Sequence, residues 1–98
     1  MRTRLHNLAG ACHAVGNLGR AVPLYEATLV DRERVLGPDH PDTLQSRNNL
    51  AGAYQYAGDL DRAIRLYQAT LVDCERVFGL VHPSAAIVRR NLGRARRR

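Results

Sequence analysis

The chain has 98 residues, of which 45% are hydrophobic and 24% are charged, a composition typical of a single soluble globular domain. This length excludes a large catalytic domain, and no apolar stretch approaches the ~20 residues that a membrane-spanning helix needs. The N-terminus lacks the apolar run of a secretion signal, so we expect a cytoplasmic protein.

The formal net charge of +6 comes from the C-terminal segment. Residues 1–88 contain as many arginines as acidic residues, and the excess lies in Arg89, Arg90, Arg94 and residues 96–98. The basic character therefore belongs to one segment of the chain and not to the fold as a whole.

The sequence repeats itself with a period of 42 residues, and 22 of the paired positions in the first two copies are identical. One shift superposes residues 7–11 on residues 49–53, and a second shift brings Asn91 to the same place. We expect two complete repeats and the first helix of a third, Arg-rich and truncated repeat. Their bounds are residues 1–42, 43–84 and 85–98.

Within each repeat, the apolar spacing is that of helices rather than strands. One apolar stripe of repeat two contains Leu50, Ala51, Tyr54 and Ala57, and the opposite face contains Gln45, Asn48, Gly52 and Gln55. A second stripe contains Leu60, Ala63, Ile64, Tyr67, Leu71 and Phe78. The Arg-rich segment has the stripe Ala85, Val88, Leu92 and Ala95. The spacing predicts five helices, over residues 2–15, 18–36, 42–57, 60–78 and 84–97.

Glycine and proline recur at the predicted helix ends. A glycine can end a helix in the left-handed conformation, and an Asn or Asp after it can cap the next helix. Proline suits the first turn of a helix. The residues concerned are Gly16-Asn17 and Gly58-Asp59 within the repeats, and Gly37, Gly79, Pro41 and Pro83 between them. Pro23 falls inside the second predicted helix, where we expect a slight bend.

The pattern of each repeat resembles the tetratricopeptide repeat, which is described by W-x2-L-G-x2-Y, A-x3-F and a terminal Pro. Repeat two reads Arg47-x2-Leu50-Ala51-x2-Tyr54, Ala63-x3-Tyr67 and Pro83. The repeat length and the run at residues 48–51 are similar to repeats of the kinesin-light-chain type. Cys12, Arg47 and Arg89 depart from the aromatic residues of the pattern. The resemblance implies an all-α fold, a right-handed superhelical solenoid of antiparallel helix pairs.

The resemblance also implies a non-catalytic protein–protein interaction module, which binds an extended peptide or a partner protein on its concave face. The candidate peptide-binding residues are His6, Asn7, Asn48, Asn49, Gln55, Tyr56, Arg90, Asn91 and Arg94. Asn7, Asn49 and Asn91 share one helical position, and their carboxamides could hydrogen-bond a peptide backbone. Gly10 and Gly52 would let that backbone approach closely. The alternative is that the asparagines bond neighbouring helix carbonyls or face water.

No residue pattern predicts a catalytic or metal site. Loop geometry explains the recurrence of His40 and His82 before a proline better than metal binding does. Cys12 and Cys74 lie far apart without a CxxC partner, which predicts neither a zinc site nor a disulfide. The sequence offers neither a serine with a plausible general base nor a Gly-rich phosphate loop. We therefore expect no enzyme activity, no metal and no cofactor.

The Arg-rich segment is either a solvated end helix, whose cations complement the helix dipole, or a segment that attracts an acidic protein or peptide, nucleic acid or anionic lipid. Nucleic acid ranks below protein, since no aromatic residues are interleaved with the arginines for base stacking. The alternative function is a structural or self-assembling segment of a larger repeat array, for example the sensor region of a bacterial signalling ATPase. Repeat helices bury their apolar faces only against neighbours. We therefore expect a homodimer through the N-terminal helices or a longer array, with no membrane partner.

Overall fold

The structure is a computed structural model that describes residues 18–97 and the side chains of residues 21–97. This part contains four helices: α1 (Leu18–Leu36), α2 (Pro41–Tyr56), α3 (Leu60–Phe78) and α4 (Pro83–Arg96). The predicted bounds of α1 and α3 are confirmed, and α2 and α4 each begin and end one residue earlier than predicted. The helix predicted over residues 2–15 lies outside the described residues.

Helices that follow one another in the chain pack together, α1 on α2, α2 on α3 and α3 on α4. In addition, α4 contacts α2. The first helices of repeats two and three are therefore neighbours, with the second helices packed against them. This stack of helix pairs is the all-α solenoid that the sequence predicts.

Histidine side chains cap the first helices. The Nδ1 atom of His40 accepts a hydrogen bond from the backbone N–H of Asp42 at 3.1 Å. His82 does the same for the backbone N–H of Ser84, also at 3.1 Å. The histidines satisfy amides that a helix start leaves unpaired, and this explains why they recur at the same place in each repeat.

A glycine closes the tight turn between α2 and α3. Gly58 has a φ of +89°, its N–H donates to the Gln55 carbonyl at 3.1 Å, and the N–H of Asp59 donates to the Tyr54 carbonyl at 2.9 Å. This left-handed conformation would strain a residue with a Cβ. The Asp59 carboxylate then accepts the N–H of Arg62 at 3.3 Å and caps α3, as predicted.

Buried alanines lie where the helices meet. Five alanines have no exposed surface, and every helix contributes at least one: Ala21, Ala51, Ala53, Ala63 and Ala85. Two large side chains, Tyr25 and Tyr67, pack around them and are 6% and 2% exposed. Small residues let the helix axes approach, and the tyrosines fill the remaining volume. The predicted apolar stripe of α4 is fully buried.

The apolar stripe predicted for α3 is only partly right. Thr70 and Cys74 are fully buried there, although neither belongs to the predicted stripe. The Thr70 hydroxyl donates to the Leu66 carbonyl at 2.7 Å, so its burial leaves no unpaired donor. The remaining residues of the predicted α3 stripe are half-buried at the edge of the core: Leu60, Ile64, Leu71 and Phe78. In the stripe predicted for α2, Ala57 is exposed because it lies past the end of that helix.

The contact between α1 and α2 contains a buried arginine that sequence analysis missed. Arg32 is 8% exposed, and its guanidinium donates to the Ser46 hydroxyl at 2.8 Å and to the Asp42 carbonyl at 3.1 Å. One repeat later, Cys74 and Val88 stand at the positions of Arg32 and Ser46, and both are buried. The same contact is therefore polar between α1 and α2 and apolar between α3 and α4.

An ion-pair network joins α2, α3 and the loop before α2. Arg47 donates to an Asp73 carboxylate oxygen at 2.6 Å, and Arg76 bridges Asp73 at 3.2 Å to Asp39 at 2.7 and 3.1 Å. The hydrogen bond from Arg47 holds the pKa of Asp73 below its usual value, against the opposing effect of burial. Arg47 occupies the Trp position of the repeat pattern, so an ion pair stands where an aromatic side chain usually packs.

We expect Arg32→Cys and Ser46→Val each to lower the free energy of unfolding, and the double variant to lose less than the sum. Arg32→Cys removes hydrogen bonds from a buried contact and should cost about 1–3 kcal/mol. Ser46→Val leaves a buried guanidinium short of an acceptor. The double variant has the residue pair of the α3–α4 contact. Urea unfolding of the wild type, the two single variants and the double variant measures the coupling between the two positions. Strictly additive losses of unfolding free energy would contradict the prediction.

The depressed pKa of Asp73 predicts how stability depends on pH. Its contribution is complete above the pKa of an unfolded aspartate, about 3.9, and is lost as the pH falls through the lower folded value. We expect Asp73→Asn to unfold more easily at neutral pH and to lose less stability between about pH 5 and pH 2. Urea titrations at several pH values measure this. Glu33→Gln, at an exposed position without an ion pair in the described chain, is the control. Identical acid slopes for Asp73→Asn and wild type would refute the assignment.

Candidate functional site

Two adjoining cavities lie between α2 and α4. The polar cavity has a volume of about 260 Å³ and is lined by Tyr25, Asn48, Asn49, Gly52, Gln55, Tyr56, Tyr67, Asn91 and Arg94. The apolar cavity has a volume of about 270 Å³ and is lined by Pro41, Asp42, Leu44, Gln45, Asn48, Asn49, Cys74, Phe78, Ser84, Ile87 and Val88. The two share Asn48 and Asn49, so together they form one continuous feature, here named the α2–α4 surface.

The structure brings most of the predicted peptide-binding residues into the polar cavity. Arg90 is exposed on α4, one turn before Arg94, and lines neither cavity. His6 and Asn7 lie outside the described residues. The predicted residues that line the polar cavity are Asn48, Asn49, Gln55, Tyr56, Asn91 and Arg94.

A pair of carboxamides links consecutive repeats at the centre of this surface. The Nδ2 atom of Asn91 on α4 donates to the Oδ1 atom of Asn48 on α2 at 3.2 Å, and both side chains are half-buried. Asn91 therefore bonds the preceding repeat, although the position of Asn91 one period after Asn49 suggested a parallel ladder. Each carboxamide has further donor or acceptor capacity, because one hydrogen bond uses only part of it.

A buried tyrosine orients the neighbouring glutamine. The hydroxyl of Tyr67, a residue only 2% exposed, donates to the Oε1 atom of Gln55 at 3.2 Å. Burial raises the pKa of Tyr67, Tyr56 adds to the rise, and the positive charge of Arg94 opposes it. The hydroxyl therefore stays protonated and keeps donating, which leaves the NH₂ of Gln55 available to another acceptor. The sequence predicted Tyr67 only as a core residue. The signal for an additional polar role is the Tyr67 hydroxyl, because a buried tyrosine hydroxyl usually has a hydrogen-bond partner.

The α4 side of the surface is cationic. Arg90 and Arg94 are exposed and lie one helical turn apart. Within the described part of the chain, neither of them forms an ion pair with an acidic side chain, whereas Arg89 pairs with Glu75 at 2.9 Å. The guanidinium groups at this end of the surface are therefore available to an anionic ligand.

The apolar cavity was not predicted from the sequence. Its floor is formed by Leu44, Cys74 and Val88, which are 2%, 1% and 3% exposed. Ile87 and Phe78 form its rim, and the Phe78 ring stacks on His82 with centroids 4.6 Å apart. Burial raises the pKa of the Cys74 thiol, so this side chain behaves as a small apolar group. The cavity forms because several of its lining residues differ from their equivalents one repeat earlier. The repeat period alone does not show the effect of these differences.

The described residues contain no grouped metal ligands. Among residues 21–97, no three His, Cys, Asp or Glu side chains are grouped so that they could hold a metal ion. The Nδ1 atom of His82 already accepts a hydrogen bond from the backbone N–H of Ser84. In the described part of the chain, no helix is both long and apolar enough to cross a membrane.

The sequence profile of the tetratricopeptide repeat matches residues 2–72 and, in a second placement, residues 47–98. The chain belongs to the tetratricopeptide repeat family. Its repeats are of the kinesin-light-chain type, as solved structures also indicate. No curated protein sequence matches the chain significantly.

Two crystal structures from Podosopora anserina are similar to this chain, both described as a kinesin light chain with nearly identical TPR-like repeats. The first is 28% identical, superposes with a TM-score of 0.87, and is matched over 97% of this chain and 45% of its own length. The second is a point variant of that protein with 28% identity and a TM-score of 0.85, matched over 95% of this chain and 44% of its own length. This chain thus spans less than half the length of the similar structures.

Tetratricopeptide repeats mediate protein–protein interaction and scaffolding, and the family is typically non-catalytic. Its members bind other proteins or peptides.

Gly52 provides a test of the geometry of the polar cavity. A Cβ atom at this position in α2 would lie 3.5 Å from the Tyr67 hydroxyl oxygen, an ordinary contact. Glycine inside a helix costs roughly 0.5–1 kcal/mol relative to alanine, so Gly52→Ala should raise the free energy of unfolding by about that amount. Gly58→Ala, at a φ of +89°, should lower it instead. Thermal unfolding compares the two, and a destabilised Gly52→Ala would contradict the geometry.

Proposed function

We propose that the α2–α4 surface binds an extended peptide segment of a partner protein, and that the chain acts as a non-catalytic interaction module. The observation that supports this most is the cluster of carboxamides from two consecutive repeats around one cavity of about 260 Å³. Carboxamides supply both donors and acceptors, which is what a peptide backbone requires. A surface of this kind binds the backbone of many sequences and leaves selectivity to the side chains.

The partner segment is acidic in this proposal. Arg94 offers a guanidinium group at one end of the α2–α4 surface, Arg90 lies exposed one helical turn away, and guanidinium binds carboxylates in a bidentate manner. The net charge of residues 1–88 is zero, so the arginines of the third unit dominate the field. Charges of this sort accelerate association and make it sensitive to salt.

We take the repeats to be residues 1–42, 43–84 and 85–98, so that the α2–α4 surface lies between the second and third repeats. The cytoplasmic location and the homodimer through residues 2–15 stay predictions.

Removing two carboxamides should weaken peptide binding without unfolding the chain. We expect Asn49→Ala together with Asn91→Ala to reduce the binding free energy by about 1–3 kcal/mol, the usual effect of leaving polar partners unpaired. The probe is a peptide selected on the wild-type chain from a library of random peptides. Calorimetry measures its affinity, and circular dichroism confirms unchanged helicity.

Gln68→Ala is the matched control, because it removes a carboxamide that is exposed on α3 and lines neither cavity. Its affinity for the peptide should equal that of the wild type. An unchanged affinity in the double asparagine variant would show that the peptide binds elsewhere.

A further inference from the structure

A third cavity lies on the side of α2 that faces away from the α2–α4 surface. It has a volume of about 380 Å³, opens widely to solvent, and is here named the outer cavity. Its lining residues come from α2 and α3: Leu50, Tyr54, Arg62, Arg65, Leu66 and Ala69. Leu50 and Tyr54 each follow a residue of the polar cavity, Asn48 or Gly52, by two positions, which is slightly more than half a turn of helix. The two cavities therefore open on opposite sides of α2.

The outer cavity is mainly apolar and remains open because the helices beside it are apart. Leu50 is 5% exposed, and Tyr54 and Leu66 are half-buried and pack against the same core cluster. Ala69 is a small, exposed part of the wall, and the Arg62 guanidinium lies 5.7 Å from the centroid of the Tyr54 ring. Both α1 and α3 pack on α2, and neither packs extensively on the other. The outward side of α2 is therefore accessible between them.

An exposed apolar stripe on α3 continues from the outer cavity. Arg65, Ala69 and Val72 are spaced by four and three residues, so they share one face of α3. Val72 is 62% exposed, and its equivalent in α1, Val30, is 64% exposed. The core does not use these valines, and valine is a poorer helix former than the polar residues typical of an exposed helix face. Exposed apolar residues next to an apolar cavity indicate contact with another molecule.

The charge beside the outer cavity is positive. Arg65 is exposed and forms no ion pair within the described residues, since even Asp61, one turn before it, lies beyond ion-pair distance. Arg62 pairs with Asp59 at 3.4 Å. The carboxylate of Glu26 on α1 already accepts a hydrogen bond from the hydroxyl of the cavity tyrosine at 2.7 Å. Arg65 is therefore the group whose charge a ligand can neutralise, and it selects an acidic one.

We propose that the outer cavity is a second docking surface, which binds an acidic amphipathic helix of a partner protein. An amphipathic helix lays its apolar face into a groove between helices. The small Ala69 side chain leaves room for a large aliphatic residue of that helix, as ridges into grooves require, and Arg65 binds its carboxylate. The outer cavity shares no lining residue with the α2–α4 surface. Together with the proposed function, it makes the chain an adaptor that joins two partners.

The spacing on α3 defines the sequence pattern of the docked helix. A helix that lies along α3 presents its residues at the same intervals as Arg65, Ala69 and Val72. It therefore has an Asp or Glu and a large aliphatic residue three or four positions apart, followed by another apolar residue one turn later. The equivalent place on α1 lacks the cation, because Pro23 stands where Arg65 does one repeat later.

The experiment is a selection from a library of helices, each fixed in a small helical bundle with one face randomised. The library is selected on the immobilised full chain, and the bound pool is sequenced. Wild type should enrich an acidic and a large aliphatic residue three or four positions apart. The affinity of an enriched helix should fall as the salt concentration rises, because its carboxylate meets an exposed guanidinium.

Three variants locate the docking surface. Ala69→Gln enlarges an exposed position of the wall and should weaken binding of the enriched helix roughly tenfold, since a packed contact tolerates little extra volume. Ala27→Gln is the matched control, because it makes the same change at the equivalent exposed alanine of α1, which lines none of the three cavities. Its affinity should equal that of wild type. Arg65→Gln should lose both the acidic preference in a new selection and the dependence on salt.

The outcomes distinguish this inference from the proposed function. A library that enriches no helix above bare resin, or equal affinity of the enriched helix for wild type and Ala69→Gln, overturns the inference alone. Loss of helix binding in the double variant Asn49→Ala with Asn91→Ala would place the helix on the α2–α4 surface and also overturn it. A chain saturated with the enriched helix should still bind the extended peptide of the proposed function with unchanged affinity. Competition between the two ligands would contradict a second surface.

Discussion

Close contact between helices at alanine positions is the constraint on which the rest of the structure depends. Ala51 and Ala63 have no exposed surface, and they lie in the two helices of repeat two. A larger side chain at either position would push the helices apart, since protein interiors tolerate little excess volume. Tyr67 packs beside them and extends its hydroxyl to Gln55. The packing of the core therefore also positions a residue of the polar cavity.

Stacking one pair on the next produces the α2–α4 surface. Because α4 contacts α2, side chains from two repeats meet, and the hydrogen bond from Asn91 to Asn48 crosses that boundary. Neither repeat has this surface alone. The contacts between a second helix and the next first helix then differ in polarity: Arg32 with Ser46 makes the contact between α1 and α2 polar, and Cys74 with Val88 makes the contact between α3 and α4 apolar. The repeated residues form the scaffold, and a few departures from the period make one contact between repeats different from the next.

The features that sequence predicted are those that the period repeats. Helix ends followed from glycine, proline and capping residues, because these act locally: Gly58 ends α2 and Asp59 caps α3 as their residue types require. The family pattern grouped Asn48, Asn49 and Asn91 on the first helices, and the structure places all three around one cavity. Their role in binding stays a prediction. Of the fully buried alanines, Ala51, Ala63 and Ala85 were predicted in the apolar stripes, whereas Ala21 and Ala53 were not.

The features that sequence missed depend on contacts across repeats. A charged Arg32 in a buried contact contradicts residue-type expectation, and only the facing Ser46 hydroxyl and Asp42 carbonyl explain it. The apolar cavity went unseen because it arises from several differences between repeats acting together. The helix predicted over residues 2–15, with His6 and Asn7, lies outside the described residues.

Mapping the contact surface of a bound peptide by nuclear magnetic resonance tests the central claim most directly. The isotope-labelled full chain is titrated with a peptide selected on it, and the backbone and carboxamide signals are followed. The account predicts that the signals of Asn49, Gly52 and Asn91 shift, while those of Val30 and Val72, exposed on α1 and α3, stay in place. Shifts confined to Val30, Val72 and their neighbours would contradict it.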